Sequence, residues 1–187
     1  KFFTAHARGL GPRKCGSSDI HIGGLAHVGV LCAFLAPDLK AARAAVREHI
    51  SLTHQSAEVA AAGDALARIL CGVAAGAGLR EATFEHGTDW FSKRKAEQWS
   101  GERDEVVIGR RVSPACYITE AFPASLYLAW KYAGEFEAGV IANANLGGDN
   151  CHRGSVVGAR RGAAAGTRRI PPRFINDIAA ADHLGTQ

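Results

Sequence analysis

The sequence predicts an all-α fold for the 187 residues of this chain. Apolar residues recur every three to four positions in successive stretches, which is the spacing of helices that bury one face. Glycine and proline stand mostly between those stretches, where helices begin and end. Hydrophobic residues make up 47% and charged residues 21%, a composition that is typical of a folded globular domain and argues against a disordered chain.

The first half of the chain contains a loop, three predicted helices and a mixed segment. Gly, Pro and Ser are frequent over residues 1–20, which predicts a loop. Residues 22–35 are apolar and interrupted by glycine, which predicts a buried helix. Apolar residues at helical spacing predict two further helices over residues 39–50 and 56–75. Residues 79–111 are polar and mixed, so we expect a surface excursion there.

The second half has a sharper helical pattern. Thr119 is expected to cap a helix that tolerates Pro123 in its first turn. Further helices are predicted over residues 135–145 and 150–165, and Pro171 and Pro172 are expected to open a last helix. The apolar residues at helical spacing in that last helix are Phe174, Ile178 and Ala181.

The predicted helix over residues 150–165 carries an unusual glycine pattern. Gly154, Gly158 and Gly162 recur every four residues, and Gly166 follows them. Glycine has no side chain, so we expect Gly158 and Gly162 to let another helix approach closely. Two arginines at positions 160 and 161 lie beside this stripe, and we expect them to reach solvent or a partner carboxylate.

Charge and hydropathy exclude several classes of partner. The formal net charge is +4, and the basic residues are mostly scattered pairs. One cluster, Lys93 to Lys95, lies beside Trp90, Phe91 and Trp99, and we interpret it as a solvated helix face anchored by aromatic residues. We therefore expect no nucleic-acid partner. No run approaches the ~18 apolar residues that a membrane-spanning helix needs, so we expect no membrane partner either.

Cysteine usage and the first residue suggest the setting of the chain. Five cysteines occur at wide spacings without a CxxC pair, which favours reduced thiols and a cytoplasmic location. The chain begins at Lys1 and contains no methionine, which we interpret as the mark of a fragment or a processed product.

A Gly-Gly-Asp sequence is the most informative local feature. Gly147 and Gly148 permit backbone conformations that other residues avoid, and Asp149 then stands at the predicted start of a helix. In one interpretation Asp149 is a helix cap that accepts a hydrogen bond from the amide of Cys151 or His152. In the other, the turn binds a ligand and its carboxylate faces a cation or a sugar hydroxyl.

The stretch NLGGDNCHR, Asn145 to Arg153, resembles the metal-binding turn of the ADP-ribosylglycohydrolases. The resemblance covers most of residues 20–180 and is strongest over 115–172. It implies a multi-helix orthogonal bundle with two magnesium ions in a cleft. It also implies hydrolysis at the ribose anomeric carbon of an ADP-ribosylated protein or an ADP-ribose-like small molecule, through an oxocarbenium-like state.

The resemblance also implies site residues. Asp149 matches a catalytic and metal-binding Asp of the family, whereas Cys151 and His152 replace an Asp and a Thr. Magnesium prefers hard oxygen ligands, so this altered set suits a softer ion such as Zn²⁺ better. The implied substrate-binding residues are Gly23, Gly24, Tyr117, Gly147 and Gly148. For His21, His27 and His54 an acid, base or ligand role stays open beside an ordinary surface role.

The resemblance predicts an incomplete site. We expect residues 1–187 to be the carboxyl-terminal portion of a single domain, whose amino-terminal half supplies the other metal ligands and is a partner of this chain. The chain by itself is then expected neither to bind magnesium tightly nor to release ADP-ribose at a useful rate. The alternative is a catalytically silent family member with a structural role, like the J-type lens crystallins, or a ligand-binding role.

Overall fold

The computed structural model describes residues 1–166 and 170–177, and within them the backbone is helical without a sheet. Three isolated bridges are the extended pairings found in those residues. The all-α prediction is therefore confirmed. The α-helices are α1 (Phe2–Ala7), α2 (Val28–Leu35), α3 (Leu39–Thr53), α4 (Ala57–Ala74), α5 (Leu79–Gly87), α6 (Lys93–Trp99), α7 (Asp104–Val106), α8 (Ile118–Lys131), α9 (Phe136–Asn145), α10 (Asn150–Ala165) and α11 (Arg173–Asn176).

Side-chain caps define where several helices begin. The side chains of Asp38, Ser56 and Ser92 each accept a backbone N–H of the first turn that follows, in α3, α4 and α6 respectively. The prediction that Thr119 caps α8 is wrong, because the helix already begins at Ile118. The Ile118 N–H donates to the Ile20 carbonyl at 2.8 Å, so a pairing with a distant segment sets this start.

Helices α4 and α8 contribute more buried residues than any other helix of the described residues. α3 packs closely on α4 at Gly63, where an added Cβ would lie 2.3 Å from the Ile50 Cδ1 atom. Next to this contact, Asp64 pairs with Arg43 at 2.6 Å and with Arg68 at 2.9 Å. None of the helices in residues 1–166 and 170–177 is long and apolar enough to cross a membrane.

The expectation of a surface excursion over residues 79–111 is wrong. Phe91 and Trp99 are buried, with their ring centroids 5.7 Å apart, and both pack against Tyr127 of α8. The aromatic residues of this segment therefore complete the core, while exposed Lys93 and Arg94 lie on the outer side of α6. This confirms the interpretation of the basic cluster as a helix face anchored by aromatic residues.

Gly158 and Gly162 of the α10 stripe do not face another helix, whereas an added Cβ at Gly154 would lie 2.9 Å from the Asn143 Nδ2 of α9. A Cβ added at Gly158 or Gly162 would meet no heavy atom within 4 Å, so the predicted close approach is wrong. The close contact lies at Gly29 of α2, where an added Cβ would come within 2.6 Å of the Ala159 Cβ. α10 turns a different stripe inward, and its buried residues are Arg153, Val156, Val157, Arg160 and Arg161.

Two of those buried residues contradict the expectation that Arg160 and Arg161 reach solvent or a carboxylate. Arg160 donates to the Thr83 hydroxyl, and its Nε and Nη1 atoms have no partner among the described residues. Arg161 donates to the carbonyls of Tyr132 and Phe136. Burial lowers the pKa of Arg160 to about 9 and that of Arg161 to about 10. Both guanidinium groups are thus held by neutral oxygens in the core.

The last helix begins after Pro172, as predicted, and Phe174 packs on Phe136 of α9 with ring centroids 5.6 Å apart. Ile178 and Ala181 lie outside the described residues.

Candidate functional site

The Gly-Gly-Asp sequence forms a tight turn between α9 and α10. Gly147 and Gly148 both have φ of +63°, in the left-handed region that favours glycine. An added Cβ at Gly148 would lie 2.1 Å from the Pro114 carbonyl oxygen, and the same oxygen accepts the Asp149 N–H at 3.0 Å. The turn is therefore pressed against the segment that precedes α8.

Buried Arg153 stabilises the turn by hydrogen bonds from its guanidinium group. Its Nε donates to the Asn143 Oδ1 at 2.7 Å, and its Nη2 donates to the Gly147 carbonyl at 2.8 Å. Asn143 in turn donates to the Asn150 carbonyl at 2.9 Å. These bonds connect the end of α9, the turn and the start of α10, so Arg153 positions the residues that the turn presents.

Asp149 caps α10, which confirms the cap interpretation. Its Oδ1 accepts the His152 N–H at 3.4 Å. The same carboxylate contacts the His152 ring, with the Nδ1 atom 2.9 Å from Oδ1 and 3.1 Å from Oδ2. Cys151 lies between them in the chain but is exposed. The carboxylate of Asp149 is thus already engaged by the helix start and by an imidazole.

The glycine loop predicted to bind substrate lies opposite this turn. An added Cβ at Gly23 would be 3.5 Å from the His152 Nε2, so nothing bulky separates the loop from that imidazole. At Gly24 an added Cβ would be 2.8 Å from Val59 Cγ1 and 3.0 Å from His54 Cγ. The structure thereby brings Gly23 next to His152 and Gly24 next to His54, and we refer to this group of residues, with Asp149, as the cleft.

A second Asp–His group lines the same cleft. The Asp19 Oδ1 lies 2.5 Å from the His21 Nδ1 and 3.8 Å from the His54 Nε2. The His54 Nδ1 is 2.8 Å from the Thr53 hydroxyl. Burial lowers the pKa of His54, and the nearby His21 and His152 lower it further against the opposing effect of Asp19. The pKa of His54 is therefore affected both by Asp19 and His21 and by His152.

Tyr117 stands at the edge of this group. Its side chain is 48% exposed, and its ring stacks on His21 with centroids 5.2 Å apart and planes inclined by 30°. A half-exposed aromatic face beside imidazoles suits stacking against a base or a sugar. His27, by contrast, packs on His49 of α3 with ring centroids 5.3 Å apart.

Comparison with known protein families identifies the family of this chain. A family model described as ADP-ribosylglycohydrolase matches residues 1–186. The chain belongs to the ADP-ribosylglycohydrolase family. A search among curated proteins found no match.

The donors do not fit the magnesium ions implied by the resemblance to the ADP-ribosylglycohydrolases. Within residues 1–166 and 170–177, no three His, Cys, Asp or Glu side chains are grouped so that they could hold a metal ion. Asp149 offers one carboxylate, and His152 occupies it. The roles of Asp149, Cys151 and His152 as metal ligands therefore stay predictions.

Sequence reasoning missed two members of this candidate site. Asp19 precedes His21 by two residues, a spacing that lets a carboxylate accept the histidine N–H in an Asx turn, here at 2.9 Å. Arg153 follows the predicted cap by one helical turn, where an inward-facing position can be read from the period of α10. What the sequence does not reveal is that its guanidinium is buried under the turn.

Proposed function

We propose that this cleft binds the ADP-ribosyl group of a modified protein and that its reaction class is hydrolysis at the ribose anomeric carbon. The observation that carries the proposal is that the turn ending in Asp149 and the loop at Gly23 face each other across His152. Gly148 is exposed and Gly23 is part-exposed, and half-exposed Tyr117 provides an aromatic face. The family membership supports the substrate class.

Asp149 and His152, at the start of α10, are two chemical groups suited to this reaction. An oxocarbenium-like state gains from a nearby negative charge, which the Asp149 carboxylate supplies, and a departing group needs a proton. The His152 ring contacts Asp149 through Nδ1, so its Nε2 remains to hold or release a proton on the side of Gly23. We derive no step through magnesium, because the Asp149 carboxylate already contacts the His152 ring and the described residues contain no group of three His, Cys, Asp or Glu side chains that could hold a metal ion.

The alternative is a family member that binds a ligand without turning it over or that has a structural role. The observation that favours it is the engagement of Asp149, whose side chain is only 17% exposed and serves as a helix cap. Hydrolysis and ligand binding use the same residues and differ in the release of product, whereas a structural role requires no ligand.

The test combines calorimetry with a release assay. ADP-ribose is titrated into the parent chain and into Asp149→Asn, Tyr117→Ala and His152→Ala. The matched control is His86→Ala, which removes a part-exposed histidine on α5 that lies beside Gly72. Release of ADP-ribose is then measured from an ADP-ribosylated protein with and without magnesium.

Binding that weakens in the three cleft variants and is kept in His86→Ala supports the proposal, whereas no binding to the parent chain overturns it. Binding without release is expected of the chain by itself and favours the silent alternative. Release that disappears in Asp149→Asn would establish hydrolysis. Micromolar magnesium binding lost in the same variant would contradict our interpretation of the donors, and zinc binding lost in Cys151→Ser would indicate a repurposed metal site.

A further inference from the structure

A basic groove runs along the outer face of α3. Its volume is about 510 Å³, and its floor includes the small side chain of Ala44. The charged and hydroxyl residues that line it are Arg13, Lys40, Arg43, Arg47, Glu48 and Ser51. Arg13 comes from the loop before α2 and the others from α3, so two segments of the chain form the walls.

The groove concentrates the positive charge of the chain. Four cations and one carboxylate give its lining a formal charge of +3, against +4 for all 187 residues. Glu48 pairs with Arg13 at 2.6 Å, and Asp64 pairs with Arg43 from the side of α4. Lys40 and Arg47 form no ion pair with a carboxylate of the described residues, which leaves both free to meet an anion.

The spacing of these cations suits an extended chain. Positions 40, 43 and 47 follow the i, i+3, i+7 pattern and therefore lie on one face of α3. Seven residues of helix span about 10 Å. Alternate side chains of an extended peptide are about 7 Å apart, so two carboxylates on one side of a peptide can reach both ends of this row.

The groove leads toward the candidate site. Ser51 lies three residues before His54, and Gln55 donates from its side-chain amide to the carbonyls of Arg13 and Ser51. The Thr53 carbonyl accepts the Ser17 N–H at 3.0 Å, two residues before Asp19. The end of the groove and the loop that carries Asp19 are therefore held to the same end of α3.

We propose that this groove binds an acidic polypeptide segment of the substrate protein, next to the residue that carries ADP-ribose. The inference rests on the proposed function, because a modified protein must continue beyond the cleft. A peptide suits the mixed lining better than a chain of phosphates does, since its backbone N–H groups can donate to Glu48 and Ser51, whereas closely spaced phosphates would be repelled by Glu48.

The test is fluorescence anisotropy with a labelled, unmodified peptide that contains four alternating Glu residues. The Lys40→Glu/Arg47→Glu double variant should weaken binding by about tenfold or more, and added salt should weaken binding to the parent chain. The charge-matched control is Lys93→Glu/Arg94→Glu on α6, which should bind like the parent. Calorimetry with ADP-ribose should give the same affinity in all three proteins.

Several outcomes would overturn the inference. They are an absence of peptide binding to the parent, equal losses in both double variants, and tighter binding of inorganic tripolyphosphate than of the peptide at the same site. Peptide binding in the groove together with no binding of ADP-ribose would instead remove the proposed function of the cleft, so the two failures can be told apart.

Discussion

Replacing Gly148 by alanine should destabilise the protein by disturbing the turn that presents Asp149. Two effects add. A residue with a side chain at φ of +63° costs about 1–2 kcal/mol relative to glycine. The new Cβ would also lie 2.1 Å from the Pro114 oxygen, so the turn must move away from the acceptor of the Asp149 N–H, at a cost of about 1 kcal/mol or more for that bond.

The expected loss for Gly148→Ala is therefore about 2–4 kcal/mol of the free energy of unfolding. For a chain of this length that corresponds to a fall in Tm of roughly 5–15 °C. The neighbouring Gly147 separates the cost of the backbone conformation from the cost of the contact with Pro114. Gly147 has the same φ but no heavy atom within 4 Å of an added Cβ, so Gly147→Ala should lose only about 1–2 kcal/mol.

Gly158 provides the opposite control. It lies inside α10 with open space around an added Cβ, so Gly158→Ala should stabilise the protein by about 0.5–1 kcal/mol through its better helix propensity. Urea unfolding followed by circular dichroism gives all three values. Equal losses in Gly147→Ala and Gly148→Ala would refute the close approach to Pro114, and a destabilised Gly158→Ala would refute the open outer face of α10.

Three further predictions concern buried and titrating groups. Arg160→Met should leave the free energy of unfolding unchanged or raise it by about 1–3 kcal/mol, because it removes a buried cation that has no carboxylate partner among the described residues. The Thr83 hydroxyl still donates to a backbone carbonyl in the variant. A large loss of stability in urea unfolding would contradict this prediction. Arg153→Ala should lose about 2–4 kcal/mol, because the Asn143 and Gly147 oxygens lose their donor and a large buried side chain is removed. Arg153→Lys should recover little because lysine lacks the planar guanidinium with its several donors, and full recovery in urea unfolding would show that charge alone matters. Burial lowers the pKa values of His49 and His54 in the folded protein. As the pH drops through about 6.5, the unfolded chain therefore takes up more protons than the folded one, and the free energy of unfolding should fall. Over the same pH range, the urea midpoint should decline less in His49→Gln and His54→Gln than in the parent.

Several helices follow from local signals, and the sequence predicted those. It missed α1, which lies in the stretch predicted as a loop, and α5, α6 and α7, which lie in the mixed segment over residues 79–111. The stretch over residues 56–75 became α4 between Ala57 and Ala74, and the stretch over 150–165 became α10 with its bounds unchanged. Asp149 as a cap followed from the same kind of reasoning, since a cap bonds to amides within one turn. Each of these features depends on residues close together in the chain, so a single sequence contains the whole cause.

The direction in which each helix faces depends on distant residues, and there the sequence misled. The glycines of α10 recur as regularly as its buried residues, but Arg153, Arg160 and Arg161 turned inward because carbonyl and hydroxyl oxygens of α5, α8, α9 and the turn were placed to accept their donors. The mixed segment over 79–111 is part of the core for a similar reason, because Phe91 packs against the aromatic rings of Tyr127 and Trp130 in α8.

The candidate site shows the same division. From the sequence alone came the Gly-Gly-Asp turn, the family and the suggestion that Gly23, Gly24 and Tyr117 contact a ligand. The tertiary structure alone decided that Gly23 lies beside the imidazole of His152 and that His54 lies beside Gly24 and Asp19. Segments more than a hundred residues apart meet there, and only the packing of α3, α8 and α10 around the core determines their distance.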